Sequence, residues 1–208
     1  KYTFANGEMK FTGTLGHIGT TSFYPSKNLG CYGDGGAIFT NDDTLAEKIR
    51  MIVNHGEKNK YHHEIIGCNS RLDSIQAEIL NVKLKYLDNY NSNRKIMANN
   101  YNLVFEDIDE IQIPKVISSS EHVYHQYTLR VLNGKRDQLK SYLNDLGIPS
   151  MIYYPIPIHK QKPYSNNQIL ENTDILSKEV ISLPIHTELE NSNQDYIIDN
   201  VIKYFKWK

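Results

Sequence analysis

Cysteine is scarce in this chain, with Cys31 and Cys68 the only two. They form neither a CxxC pair nor a disulfide framework, so the simplest reading is a reduced, cytoplasmic protein. Charge of one sign is also missing. Lys and Arg total 23 against 24 Asp and Glu, a net charge of −1, so no global field draws in nucleic acid or an anionic membrane. No apolar run approaches the roughly 20 residues needed to span a bilayer. No basic stretch followed by an apolar one opens the chain, so secretion has no support. Internal repeats and low-complexity tracts are lacking as well. A starting methionine is absent too: the sequence opens at Lys1 amid ordinary structured sequence and reads as part of a longer polypeptide. What is plentiful is tyrosine, 15 residues against 6 Phe and 1 Trp. Aromatic hydroxyls suit a pocket for a polar ligand as well as half-buried surface.

The pattern along the chain alternates strands and helices. Ile18 to Tyr24 is β-branched and aromatic and predicts a strand, and Ala37 to Thr40 predicts another. Between them lie a polar turn and the glycine-rich stretch from Gly30 to Gly36, the layout of a site held between two rigid elements. Asn41, Asp42 and Asp43 offer N-caps, and Leu45, Ile49, Ile52 and Val53 recur at helical spacing up to Asn54-His55-Gly56. Glu57 to Cys68 reads as a polar loop. From Arg71, the apolar positions 72, 75, 79, 80, 84 and 87 predict one long helix running on, with a bend, through Tyr101. Strands are expected at Ile111 to Pro114, Tyr124 to Leu132 and Ile148 to Tyr154. Helices are expected at Lys135 to Leu146, stopped by Gly147, at Asp174 to Val180, and at Asn193 to Phe205. The fold class is α/β, and the change of rhythm puts a domain boundary in the long helix, dividing residues 1–95 from 96–208.

Five groups of residues are candidates to carry chemistry. Lys27 follows a strand and precedes the glycine loop. It is either a solvated loop lysine or a Schiff-base lysine, whose partly desolvated amine attacks an aldehyde, and spacing alone does not decide. The glycine stretch is no Walker A, since no Gly-Lys-Ser/Thr closes it, and no dinucleotide fingerprint, since a strand follows it. His55, His62 and His63 lack a metal-ligand spacing, and Cys31 lacks a placed partner and reads as a small packed residue. Asn69, Ser70 and Arg71 stand at the start of the long helix. One of the first two is a natural N-cap; alternatively Asn69, Arg71 and the helix amides face an anion.

These same blocks carry a resemblance. TSFYPSKNLGCYGDGGAIFTND from Thr21, NHG from Asn54, KYHHEIIGCNSRLDSIQAEIL from Lys60 and MIYYPIPIHKQ from Met151 closely resemble the DegT/DnrJ/EryC1/StrS family. Its members are pyridoxal-phosphate-dependent aminotransferases of nucleotide-linked keto-sugars, with the aspartate aminotransferase fold (fold type I). The resemblance implies pyridoxal 5′-phosphate as cofactor and Lys27 as the lysine that bonds it and shuttles the proton. It implies Ser22 on the cofactor phosphate and Asn69 reaching the phosphate of the neighbouring subunit's cofactor, hence a homodimer with shared active sites. Arg71 would face the substrate, where some relatives hold a sugar carboxylate. Tyr61, Tyr154 and His159 lie in segments that line the nucleotide-sugar cleft.

By the same resemblance, residues 1–95 are the C-terminal portion of the cofactor-binding domain with its connector helix, and residues 96–208 the small C-terminal domain. The family's N-terminal part, with the aspartate that pairs with the pyridinium nitrogen, has no counterpart here. The expected reaction moves an amino group from glutamate to a UDP- or dTDP-linked keto-sugar, C3 favoured over C4, in amino-sugar and polysaccharide biosynthesis, lipopolysaccharide included. Relatives that dehydrate or deoxygenate replace the lysine with histidine, so Lys27 argues for amination. The alternative is a non-catalytic cofactor-binding or regulatory member of the same family.

Overall fold

The computed structural model describes residues 1–206, which fall into two compact units. Unit 1 comprises Lys1–Asn89 with Ile117–His122, and unit 2 comprises Tyr90–Val116 with the chain from Val123 onward.

In unit 1, β1 (Tyr2–Thr3) and β2 (Met9–Lys10) form a short hairpin. β3 (Gly19–Ser22) pairs antiparallel with β4 (Gly36–Phe39), Ser22 standing opposite Gly36. The glycine stretch is therefore the connection between two hydrogen-bonded strands. α1 (Asp43–Val53) starts where expected, because the Asp42 carboxylate accepts the Leu45 N–H at 3.0 Å. It ends at Asn54, after which His55 and Gly56 take left-handed backbone angles, φ 60° and 78°.

Three departures follow. The segment read as a loop contains a hairpin of β5 (Glu57–Asn59) and β6 (His62–His63), with Tyr61 at φ 68° in the turn. Polar strands of two or three residues carry too few positions for an alternation signal. The long helix is two helices, α2 (Ser74–Leu84) and α3 (Leu87–Phe105), interrupted at Lys85 and Tyr86. No glycine or proline marks that break, and the apolar spacing runs straight across it. Asp73 occupies the N-cap position of α2, so neither Asn69 nor Ser70 caps it.

Unit 2 is a three-stranded antiparallel sheet with helices. β8 (Tyr127–Val131) lies between β7 (Ile111–Gln112) and β9 (Val180–Leu183). α3 contributes from Tyr90 onward, joined by α4 (Arg136–Asp145), α5 (Glu171–Glu179) and α6 (Asn191–Lys206). β9 was hidden in the sequence because it begins directly where α5 ends. The strand expected at Ile148 to Tyr154 reduces to one bridge, Met151 paired with Ser182, before the chain turns at Tyr154 with φ 56°.

The continuous apolar core lies in unit 2, around Tyr101, Phe105, Tyr127, Leu129, Leu143 and Val201. Buried polar side chains around it reach backbone carbonyls. Tyr101 donates to the Pro184 carbonyl at 2.9 Å, and burial pushes its hydroxyl pKa well up. The Arg94 guanidinium donates to three carbonyls, Tyr124, His125 and Ile185, at 3.0–3.2 Å, and burial lowers its pKa. In unit 1, by contrast, Cys31 and Leu80 are the buried apolar side chains among the described residues. The apolar stripe of α1 contributes none. No helix among the described residues is long and apolar enough to cross a membrane.

Candidate active site

β3 delivers Ser22 at its last position, and the chain then folds into a turn bearing Lys27. The Lys27 N–H donates to the Tyr24 carbonyl at 2.8 Å. Ser22 Oγ accepts the Tyr24 N–H at 3.2 Å, which stiffens the entry to that turn. Phe23 closes the loop from both sides. Its N–H donates to the Gly35 carbonyl at 2.8 Å, and its carbonyl accepts the Cys31 N–H at 2.8 Å and the Cys31 thiol at 3.0 Å. Cys31 is fully buried, consistent with a small packed residue. Gly35 is required by that packing, because a Cβ there would lie 2.6 Å from Cys31 Sγ. Lys27 is half-buried, on a loop whose backbone is bonded at Phe23, Lys27 and Cys31.

A second cluster gathers Asn69, Arg71 and Tyr61 about the end of α1. Asn69 forms an isolated antiparallel bridge with Asn54. Arg71 Nη1 donates to Asn54 Oδ1 at 2.7 Å, and Asn54 Nδ2 donates to Glu57 Oε2 at 3.0 Å. Glu57 Oε1 in turn accepts the Tyr61 N–H at 3.1 Å and lies 3.8 Å from His63 Nε2. Asn54 and Glu57 are thus the hub of the cluster. Sequence reasoning assigned neither to the site, having treated Asn54 as part of a helix stop. No sequence signal marked the pair, because the bonds depend on which side chains the fold brings together.

A cavity of about 600 Å³ lies beside this cluster, lined by Asp34, Gly36, Ile49, Val53, Ser70 and Arg71 among others. It brings the far end of the glycine loop and Arg71 to one space; Lys27 and Ser22 are not among its lining residues.

In unit 2, Tyr154 is largely exposed, whereas His159 is buried within a 3₁₀ turn, Ile158–Lys160. Neither His159 ring nitrogen has a hydrogen bond among the described residues. Nε2 lies 3.5 Å from Asp174 Oδ1. The Lys160 ammonium sits 2.6 Å from the same oxygen and holds the Asp174 carboxyl below the usual carboxylate range.

The donor set fits pyridoxal phosphate in part. A primary amine and a hydroxyl, groups that would suit an aldehyde and a phosphate, stand five residues apart in sequence, Ser22 ending β3 and Lys27 on the turn that follows. No group of metal-ligating side chains exists among the described residues.

Residues 3–202 match the DegT/DnrJ/EryC1/StrS aminotransferase family. The chain is 43% identical over 204 residues to a "pleiotropic regulatory protein" of Geobacillus stearothermophilus, covering 95% of this chain and 54% of the relative. It is 42% identical over 180 residues to a UDP-2-acetamido-2-deoxy-3-oxo-D-glucuronate aminotransferase of Pseudomonas aeruginosa, covering 86% and 49%. The fold matches a solved structure of NtdA from Bacillus subtilis with bound cofactor PMP, with a TM-score of 0.84 and 30% identity, covering 91% and 46%. The chain therefore spans about half the length of the curated relatives it matches.

Proposed function

Because the chain belongs to the DegT/DnrJ/EryC1/StrS aminotransferase family, we propose that it is part of a nucleotide-sugar aminotransferase that depends on pyridoxal 5′-phosphate. In this reading, glutamate gives up the amino group and a UDP- or dTDP-linked keto-sugar receives it, at C3 in preference to C4. The name of the Pseudomonas relative, a 3-oxo sugar aminotransferase, supports the C3 preference. The observation that carries the proposal is the Lys27 loop, a half-buried lysine on a turn held by backbone hydrogen bonds beside a strand-end serine.

When bound, the cofactor supplies the electron sink for breaking and making bonds at the carbon that bears nitrogen. The residues of this chain do the rest. Lys27 provides the amine that bonds the cofactor aldehyde and moves the proton at the reacting carbon. Ser22 binds the cofactor phosphate. Asn69 reaches the phosphate of a cofactor bound by a second subunit, so the working form is a homodimer. Arg71 recognises the sugar, with Tyr61, Tyr154 and His159 contributing to the nucleotide-sugar site. Residues 1–95 then correspond to the C-terminal portion of the cofactor-binding domain and residues 96–208 to the small domain. The reaction belongs to cytoplasmic amino-sugar and polysaccharide biosynthesis.

The test is chemical trapping. The protein is incubated with pyridoxal phosphate, reduced with borohydride and mapped by peptide. Label on Lys27, lost in Lys27→Ala, is expected; stable label on another lysine instead of Lys27 overturns the assignment.

The regulatory name of the Geobacillus relative favours one alternative, a cofactor-binding member without turnover. Adding glutamate to the cofactor-loaded full-length protein separates the two. Loss of the cofactor's long-wavelength absorbance supports the aminotransferase, and an unchanged spectrum supports the regulatory reading.

A further inference from the structure

We propose that Lys83 and Gln76, on one face of α2, are positioning residues that clamp the glycine loop and thereby fix the turn bearing Lys27. The inference rests on Lys27 being the amine that bonds the cofactor.

Positions 76, 80 and 83 share a face of α2, and Leu80 between them is buried. Lys83 Nζ donates to the Gly30 carbonyl at 2.7 Å and stands 4.6 Å from the centre of the Tyr32 ring. Gln76 Oε1 accepts the Tyr32 N–H at 2.8 Å. Its Nε2 comes so near Gly33 that a Cβ there would lie 3.2 Å away. Two side chains from one rigid helix therefore hold Gly30 and Tyr32, across an interval of more than forty residues in sequence.

The hold passes directly to Lys27. Gly30 packs its backbone against the lysine turn, since a Cβ on Gly30 would lie 2.6 Å from the Pro25 carbonyl oxygen and 2.8 Å from that of Tyr24. The Tyr24 carbonyl is the one that accepts the Lys27 N–H. Displacing Gly30 thus displaces the peptide group to which Lys27 is tied. With the loop fixed from outside, the lysine is set in place before any cofactor arrives, and no ordering cost falls on binding.

The experiment uses the full-length protein and three variants. Lys83→Met keeps the aliphatic stem and removes the donor, Lys83→Arg restores a cationic donor, and Gln76→Leu removes the second hold. Two quantities are measured: amide hydrogen exchange of residues 30–36, and the rate of borohydride-trapped labelling of Lys27 by pyridoxal phosphate. For Lys83→Met, roughly tenfold faster exchange of the loop is expected, the scale of losing one charge-assisted hydrogen bond. Lys27 labelling falls in step, while exchange in α2 and unit 2 stays unchanged. Gln76→Leu gives the same pattern, and Lys83→Arg returns both quantities toward the original values. A loop exchange rate and Lys27 labelling unchanged in Lys83→Met overturn the clamp, and so does failure of Lys83→Arg to restore either. If Lys27 of the unsubstituted chain takes no label, the cofactor reading fails by itself, and loop exchange alone still decides the clamp.

Discussion

The Arg71 guanidinium donates to the Asn54 side-chain carbonyl at 2.7 Å. An arginine expected to face substrate is thereby tethered to the end of α1, and the tether has a direction. Asn54 spends its oxygen on Arg71 and its nitrogen on Glu57, at 3.0 Å, so the amide orientation follows from its two partners. One Nη1 hydrogen is used in the bond to Asn54. A planar guanidinium has five N–H donors, so a fork remains for a ligand.

That geometry sharpens a prediction about substrate class. In the full-length protein, Arg71→Lys should cost a hexuronate substrate about 2–3 kcal/mol of transition-state binding, or roughly thirty- to more than a hundredfold in kcat/KM, because an ammonium cannot copy the fork. A neutral 6-deoxy keto-sugar nucleotide should lose far less. Asn54→Ala should give a smaller loss in the same sense, by untethering the arginine. Measuring kcat/KM for both substrates on each variant decides the matter, and equal losses for the two substrates would remove the uronate argument.

Assembly gives a second expected outcome. Lys27→Ala and Asn69→Ala, each inactive in the full-length protein, should regain activity when mixed. A hybrid dimer holds one site with neither lesion, whereas each parent dimer holds none. Activity that stays at the parental level, with subunit exchange shown by native mass spectrometry, would count against a shared site.

Gly30 is the third. A Cβ at this position would press on the Tyr24 and Pro25 carbonyl oxygens, which are backbone and cannot swing aside. Gly30→Ala should therefore shift the lysine turn and reduce Lys27 labelling by pyridoxal phosphate. The buried contacts of unit 2 are untouched, so its cooperative melting should not change. Normal labelling with normal melting would show that the turn absorbs the methyl group without moving Lys27.

Much of this arrangement was legible in the sequence, but unevenly. The β3–loop–β4 layout followed from local composition, and the start of α1 from the three cap candidates at residues 41–43, of which Asp42 is the cap. The terminal helix followed from its period, and Cys31 read correctly as a packed residue. These are signals carried within a few neighbouring positions. A bend in the long helix was expected, but its place at Lys85 and Tyr86 was not legible, since the apolar spacing continues through it without a helix-breaking residue. Strand β9 was masked by the helix that runs into it. The Asn54–Glu57 hub and the Lys83–Gly30 bond were invisible for a different reason. They depend on which distant side chain a carbonyl or amide meets, as with residues 30 and 83, and no periodicity encodes that.

The last prediction concerns Asp174 and the buried His159. The Lys160 ammonium, 2.6 Å from Asp174 Oδ1, lowers the carboxyl pKa below its ordinary value, and the nearby charges of His159 and Lys178 act in the same direction. A carboxyl with a depressed folded-state pKa binds its proton more weakly in the folded chain than in the unfolded one. Its contribution to stability is therefore complete above the unfolded value, about 3.9 for aspartate, and disappears as pH falls through the folded value. Asp174→Asn should accordingly be less stable than the parent at pH 7, and the two should converge as the solution is acidified below the ordinary carboxylate range. Lys160→Met should show the same convergence, because it removes the other half of the pair. Urea unfolding at a series of pH values supplies the comparison. A stability gap that stays constant from neutral to acid pH would mean that Asp174 acts through packing or hydrogen bonding as a neutral group would, and that its ionisation contributes nothing around His159.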